Sequence, residues 1–512
     1  MGPIAYFDLD VLGRQDTIMG DITDKVMTDP VKTEHGPVVG EAGDVRVFRG
    51  IPFAAAPMGA LRWAPPQPPQ PWREPRQATE WGWDCPQNYA RKFRSPGIGE
   101  DCLTVNVWTP ATGDTANLPV LVWLYGGSFV GGSGSDPRSD GTQLAKRGAI
   151  VVTFNYRSGL MGFLGHPALT KESKNGFSSN YGMLDMIAAL RWVKTNIKAF
   201  GGNPNGITVF GCSAGSAGIG LLLVSPLASG LFDRVILESP GSFRPLCSLA
   251  DSEKAGLMLG DDLAALRAMS WEQVLARQPE FIPKMRGLTT PRVLRPIRDG
   301  YVIPLDEADA VAAGKFHTVP ILVGSQADEG TPFIGSWPVK TLGDYRKVAE
   351  ENFSAKNAVE EALAVFPAKT EADIKMGLAD MFGDAQFQYG ARRWAREMAR
   401  VGQPAYRYVF TRQRPGLGRP PVHSEEVEYV FGEPTVPSDG KFDATDAKLS
   451  ETMMDAWIRF AATGDPNGPG LPSWPRYDPK TDSHMELGDA PRVASGFKRD
   501  QLDFLDRYFD AA

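Results

Sequence analysis

The stretch FGGNPNGITVFGCSAG, residues 200–215, decides how this chain is read. Its last five residues form G-x-S-x-G as Gly211-Cys212-Ser213-Ala214-Gly215. The preceding Ile207-Thr208-Val209-Phe210 is β-rich, and residues 216–224 are small and apolar, as suits a helix. Strand, sharp turn and helix are the setting in which this pentapeptide is a nucleophile elbow, with Ser213 at its tip. The flanking glycines let a strained turn form and let strand and helix approach closely. A bare G-x-S-x-G arises by chance in many long chains, so the neighbouring sequence carries the inference.

Outward from the elbow, residues 119–125 (PVLVWLY) and 150–154 (IVVTF) are continuous apolar runs. Such runs suit strands buried on both faces of a sheet. Residues 103–109 (LTVNVWT) alternate as a strand, and 36–53 read as short antiparallel strands with glycine turns. The proline-rich stretch 54–71 reads as extended loop. Further strands are expected at 235–237, 319–323 and 405–411. Met183, Ile187, Leu190, Trp192, Val193 and Ile197 recur at near-helical spacing up to Gly201-Gly202, which predicts a helix over 180–200. Residues 250–290 read as helices and 448–462 as an amphipathic helix. Alternating apolar strands and helices predict an α/β fold with a mostly parallel sheet.

The chain has 512 residues, 42% of them hydrophobic, enough for a large core. Its 54 basic and 61 acidic residues are mixed along the chain and give a net charge of −7, so no basic stripe points to nucleic acid. No apolar run approaches the ~20 residues that span a bilayer. Residues 1–30 show no clear period, and the acids among the first residues argue against a secretory signal peptide in the chain as written. The four cysteines, Cys85, Cys102, Cys212 and Cys247, lack zinc-site spacing. Cys85 and Cys102 could close a short loop, worth roughly 3 kcal/mol as a disulfide in the chain-entropy model. Cys212 reads as a buried small residue and Cys247 as a free thiol.

Three stretches are candidates to join Ser213. Tyr125-Gly126-Gly127-Ser128-Phe129 follows an apolar strand, where small residues let backbone N–H groups face a ligand. In hydrolases of this design such a loop and the residue after the nucleophile form the oxyanion hole, here Gly127, Ser128 and Ala214. Losing one such donor typically costs about 100–1000-fold in rate. Gln326-Ala327-Asp328-Glu329-Gly330 follows the strand expected at 319–323, and an acid there can orient a histidine. Spacing does not choose between Asp328 and Glu329. The histidines are His35, His166, His317, His423 and His484. His317 precedes its strand and so falls at the wrong sheet edge. His166 competes with His423, which follows a strand and a Pro/Gly-rich loop and keeps the chain order serine, acid, histidine.

On these residues the chain resembles the type-B carboxylesterases of the α/β-hydrolase fold, a family that includes cholinesterases and bacterial para-nitrobenzyl-esterase-like enzymes. Residues 200–215 match the family's long serine signature, and Glu100-Asp101-Cys102-Leu103 its second signature. Phe48-Arg49-Gly50-Ile51-Pro52-Phe53, Asn155-Tyr156-Arg157 and Gly464-Asp465-Pro466-Asn467 are also similar to family motifs. The resemblance runs from about residue 36 to 479. It implies one α/β-hydrolase domain over 31–512 with helical and loop insertions over the active site, preceded by an extension, 1–30. It implies Glu329 as the acid, from the family's D-E-G motif. It implies His423 as the base, from the match of HSEEVEYVF to H-G-x-E-L-x-Y-V-F. It implies a Cys85–Cys102 disulfide, which favours a periplasmic or secreted location.

The expected activity is hydrolysis of small-molecule carboxylic esters through an acyl-enzyme on Ser213, with no metal or organic cofactor. Carbamates and amides suit the same triad, and family members that have lost the serine are binding proteins. Monomer and dimer both remain open. This chain also departs from the family. Cys212 stands where Glu is frequent, Ser128 replaces a third glycine, and Pro240 replaces part of a Ser-Gly pair. The Cys85–Cys102 loop lacks the tryptophan with which cholinesterases hold choline. The basic stretch 284–298 (KMRGLTTPRVLRPIR) lies where relatives line the gorge. Arg292, Arg295 or Arg298 is a candidate ligand for a substrate carboxylate, as in a polycarboxylate ester, and Phe333 and Trp337 are candidate pocket walls.

Overall fold

The computed structural model describes residues 26–88, 91–283, 285, 287–288, 291–432 and 442–510. Most of the extension expected at 1–30 lies outside them, as do Lys284, Arg286, Thr289 and Thr290 of the basic stretch. Among the described residues the centre is a ten-stranded sheet. Its strands are β1 (Arg46–Pro52), β2 (Thr104–Thr109), β3 (Leu118–Leu124), β4 (Ile150–Phe154), β5 (Gly202–Cys212), β6 (Arg234–Glu238), β7 (Ile321–Gln326), β8 (Ala405–Phe410), β9 (Ser483–Leu487) and β10 (Arg492–Ser495). Their spatial order is β10-β9-β8-β7-β6-β5-β3-β4-β2-β1. From β4 to β9 the pairs are parallel; β1, β2 and β10 join antiparallel at the edges. A separate small sheet joins Val31–Lys32, Pro37–Val39 and Arg76–Gln77.

The apolar runs become the inner strands, as expected of sheets covered on both faces. Every residue of β2, β4, β7 and β8 is buried. The seventh core strand starts two residues later than its apolar run and extends to Gln326, because its polar end pairs with Val409 and Phe410. Buried Arg407 in β8 is matched by Asp482, 2.8 Å away. The helix expected over 180–200 is Tyr181–Asn196 with a 3₁₀ turn, Ile197–Phe200, closed by Gly201 at φ 90°. The helix read at 448–462 begins earlier, at Ala444, because Asp443 and Asp446 form a capping box. The strands Ser483–Leu487 and Arg492–Ser495 and the helix Arg499–Asp510 were not anticipated.

Several motifs singled out in the sequence have structural tasks. Arg157, after β4, makes a two-pronged ion pair with Asp185 on the helix Tyr181–Asn196, at 2.8 and 2.7 Å. Both side chains are buried. Arg62 grips Glu100 in the same way, at 2.7 and 2.6 Å. Cys85 and Cys102 form a disulfide with Cα atoms 5.0 Å apart; Cys212 and Cys247 are free and buried. No helix among the described residues is long and apolar enough to cross a membrane. Removing one partner of a buried ion pair leaves the other charge unpaired. Asp185→Ala is therefore expected to lower stability by about 3–5 kcal/mol, read as a lower urea midpoint at unchanged slope.

Candidate active site

β5 ends at Cys212 and the helix Ala214–Val224 begins one residue after Ser213. Ser213 itself bears the bend, at φ 59° and ψ −120°. The two glycines of the pentapeptide serve close approach instead. A Cβ on Gly211 or Gly215 would come within 2.5 or 2.0 Å of the Leu124 carbonyl oxygen at the end of β3. The Ser213 N–H donates to the Glu238 carbonyl at the end of β6, 2.9 Å away. Every residue of the following helix is buried, so its N-terminus has nowhere to move. Its first N–H groups have no partner within the helix and favour negative charge in front of them.

The loop after β3 lies directly against the elbow. A Cβ on Gly126 would sit 2.8 Å from the Cys212 oxygen and 2.9 Å from the Ser213 Cβ. Gly127, Ser128 and Phe129 then all take positive φ, at 122°, 58° and 63°. Ser128 therefore adopts the left-handed backbone that a glycine takes without strain. Two tyrosines fasten the loop: Tyr125 and Tyr156 stack at 4.4 Å and exchange hydrogen bonds between hydroxyl and backbone at 3.0 and 2.9 Å. Gly126 thus brings the start of this loop against Ser213, with Ala214 next to it in the chain.

Glu329 and His423 meet. His423 Nδ1 lies 2.5 Å from Glu329 Oε2. A carboxylate only accepts, so Nδ1 carries the proton and Nε2 is the basic atom. Nε2 is buried and has no hydrogen-bond partner among the described residues. Glu329 is held by two further donors on Oε1, the Gln326 N–H at 2.7 Å and the Ser239 hydroxyl at 2.6 Å. Asp328, the other candidate acid, instead accepts from the Gly330 and Thr331 N–H groups at the start of a short helix. A bridge between Asp328 and Val422 ties the acid's loop to the histidine's. Ser424, beside His423, sits 3.1 Å from the Cys212 sulfur, beside Ser213.

The competing histidine has another task. His166 caps the helix Pro167–Glu172 and bonds to the Gly260 carbonyl at 2.9 Å. His317 bonds to the Ser225 carbonyl. Phe333 packs edge-on to His423 at 4.9 Å, and Trp337 lies behind it against Phe382. Sequence reading missed Phe387, 4.3 Å from His423, which is delivered by a π-helical turn, Asp384–Gln388. It also missed Ser239; its place one residue beyond a strand next to the nucleophile strand was the available signal. The three arginines separate. The buried Arg295 lies 5.8 Å from the centre of the Phe129 ring. Arg292 is half-buried. Arg298 is exposed and 4.0 Å from Asp306.

Behind the elbow, Cys212, Glu238 and Glu426 place their donor atoms within 4.8 Å of one another, all buried. Burial raises the Cys212 thiol well above its usual range, and raises Glu238 to about 8. Glu426 is raised by burial, then by the negative charges of Glu238 and Glu329. A protonated thiol is a poor metal ligand.

A model of the carboxylesterase family matches residues 28–505. A fumonisin B1 esterase of Sphingopyxis macrogoltabida is 45% identical over 456 residues, covering 87% of this chain and 84% of that protein. The para-nitrobenzyl esterase of Bacillus subtilis (strain 168) is 35% identical over 469 residues, 88% of this chain and 93% of that one. A solved PNB esterase superposes with a TM-score of 0.81 at 33% identity, over 93% of this chain and 99% of the other. The likeness in sequence and in architecture covers the elbow, its sheet and the loops around it, and the chain belongs to the carboxylesterase family.

Proposed function

We propose that this serine carboxylesterase works through Ser213, His423 and Glu329, with Gly127, Ser128 and Ala214 as oxyanion donors. The observation that carries the reading is the Glu329–His423 contact, which leaves a buried Nε2 with no hydrogen-bond partner among the described residues. His423 takes the Ser213 proton as the hydroxyl attacks the ester carbonyl, and Glu329 stabilises the imidazolium. The tetrahedral oxyanion forms against the loop and the helix N-terminus. The protonated histidine then delivers its proton to the departing alcohol. Water, activated in the same way, releases the acid from Ser213.

The finer reading concerns the acid part of the substrate. Arg295 lies over Phe129, which directly follows the oxyanion loop. A second carboxylate on the substrate's acyl group would find favourable charge there. A relative that acts as a fumonisin B1 esterase makes that compound a candidate to assay. Phe333, with Trp337 behind it, forms the wall on the histidine side. The Cys85–Cys102 disulfide supports a location outside the reducing cytoplasm.

Two measurements test this. A p-nitrophenyl ester panel and an organophosphonate label read the nucleophile: Ser213→Ala should lose both turnover and label, and full esterase activity in that variant would end the scheme. Arg295→Leu should raise KM about 10–100-fold for an ester of a dicarboxylic acid, the worth of a charged hydrogen bond. Neutral esters should be unaffected; equal loss on both would count against an anion-binding role.

A further inference from the structure

Behind the nucleophile lies a carboxyl pair that the hydrolytic scheme does not use. Glu238 ends β6, and its carbonyl accepts the Ser213 N–H. Its side chain is fully buried: Oε1 accepts from the Trp457 indole at 2.9 Å, and Oε2 has no hydrogen-bond partner among the described residues. Glu426, three residues after His423, is also fully buried with the Gln326 side chain facing it, and its Oε2 likewise has no hydrogen-bond partner among the described residues. The two carboxyls and the Cys212 sulfur lie within 4.8 Å of one another. Cys212 faces the pair from β5, Tyr408 from β8, and Glu329 from the loop after β7, with His423 beyond it. The charges bearing on Glu426 are those of Glu238 and Glu329, both negative.

Two buried carboxylates this close, with a third beside them, do not all ionise near neutral pH. Glu329 has the short, strong donors: Ser239, Gln326 and His423. We propose that Glu238 and Glu426 share a retained proton and act together as positioning residues, keeping the Ser239 hydroxyl turned toward Glu329. This rests on Glu329 and His423 being the acid and base.

Ser239 is the link. Its oxygen is 2.6 Å from Glu329 Oε1 and 3.5 Å from Glu426 Oε1. A hydroxyl has one proton to give. While the pair keeps its proton, Glu426 has little claim on that hydroxyl, and Ser239 donates to Glu329. When the pair loses its proton, the newly charged Glu426 competes for it, and Glu329 loses one of the donors that orient it. The loss occurs as pH rises above neutral, since burial lifts both carboxyls.

The test is the alkaline side of the pH–kcat/KM profile on a neutral ester. Ionisation of one group makes wild-type activity fall by up to about tenfold for each pH unit above its titration. Glu426→Gln keeps a neutral group beside the Ser239 hydroxyl and should hold its activity within about twofold from pH 7 to pH 9, with KM unchanged. Ser239→Ala should lower kcat at pH 7 and abolish the alkaline fall, since it removes the contested hydroxyl. If Glu426→Gln does not fold, Glu238→Gln should instead shift the fall to lower pH, because it removes the negative charge that holds the proton on Glu426. An alkaline fall that persists unchanged in these variants overturns the proposal. Phosphonate labelling of Ser213 at pH 7 separates this from the catalytic scheme: a labelled enzyme with an unmoved profile refutes the carboxyl pair, whereas an unlabelled wild type refutes the scheme beneath it.

Discussion

Ser213 is held in a backbone conformation that an L-residue seldom adopts, φ 59° and ψ −120°. Such strain costs on the order of 1–3 kcal/mol and persists only where the surroundings over-determine it. Here they do. The end of β6 takes the Ser213 N–H, and the Ala217 N–H takes its carbonyl. Gly126 closes one side at a distance no side chain allows, and Gly211 and Gly215 press on the end of β3. The elbow needs three adjacent parallel strands, β3, β5 and β6, ending at the same level. The sheet's register supplies this, setting Leu124 beside Gly211 and Cys212 beside Glu238.

The same sheet edge carries the rest of the site. β7 leads into Glu329 and β8 into the segment bearing His423, and the Asp328–Val422 bridge joins the two loops. A buried carboxylate is costly unless hydrogen-bonded. Glu329 has Ser239, Gln326 and His423 for this, whereas Glu238 and Glu426 share few donors between them. The departures from family pattern fit this setting. Burial and the nearby acids keep the Cys212 thiol protonated, so it adds no ionised group to an acid-rich interior. Ser128 takes the positive φ of a glycine, with Phe129 behind it under Arg295.

Much of the centre was legible because its strands are covered on both faces. Runs such as IVVTF have no polar alternation to misread, and the elbow's pentapeptide names its own context. The later helices were less legible. Asp384–Gln388 is a π turn, whose spacing no helical period reveals, yet it sets Phe387 on His423. The strands Ser483–Leu487 and Arg492–Ser495 extend the sheet from β8, and the helix Arg499–Asp510 bonds back to Arg392 and Asn352, more than a hundred positions earlier. Asp328 and Glu329 are adjacent and alike in chemistry; only the fold turns one toward the N–H groups at the start of a short helix and the other toward the histidine.

By itself, the sequence determined the α/β alternation, the strand–turn–helix around Ser213, and a short set of candidate partners for it, because local spacing and residue type carry that information. Only the tertiary structure decided how five distant segments meet. It placed Glu329 against His423 with Nε2 left over, separated Arg295 from Arg298, and brought Glu238 and Glu426 together behind the nucleophile. These depend on which strands become neighbours and where each one ends. No single stretch of the chain encodes them, because the contacts join residues up to about two hundred positions apart.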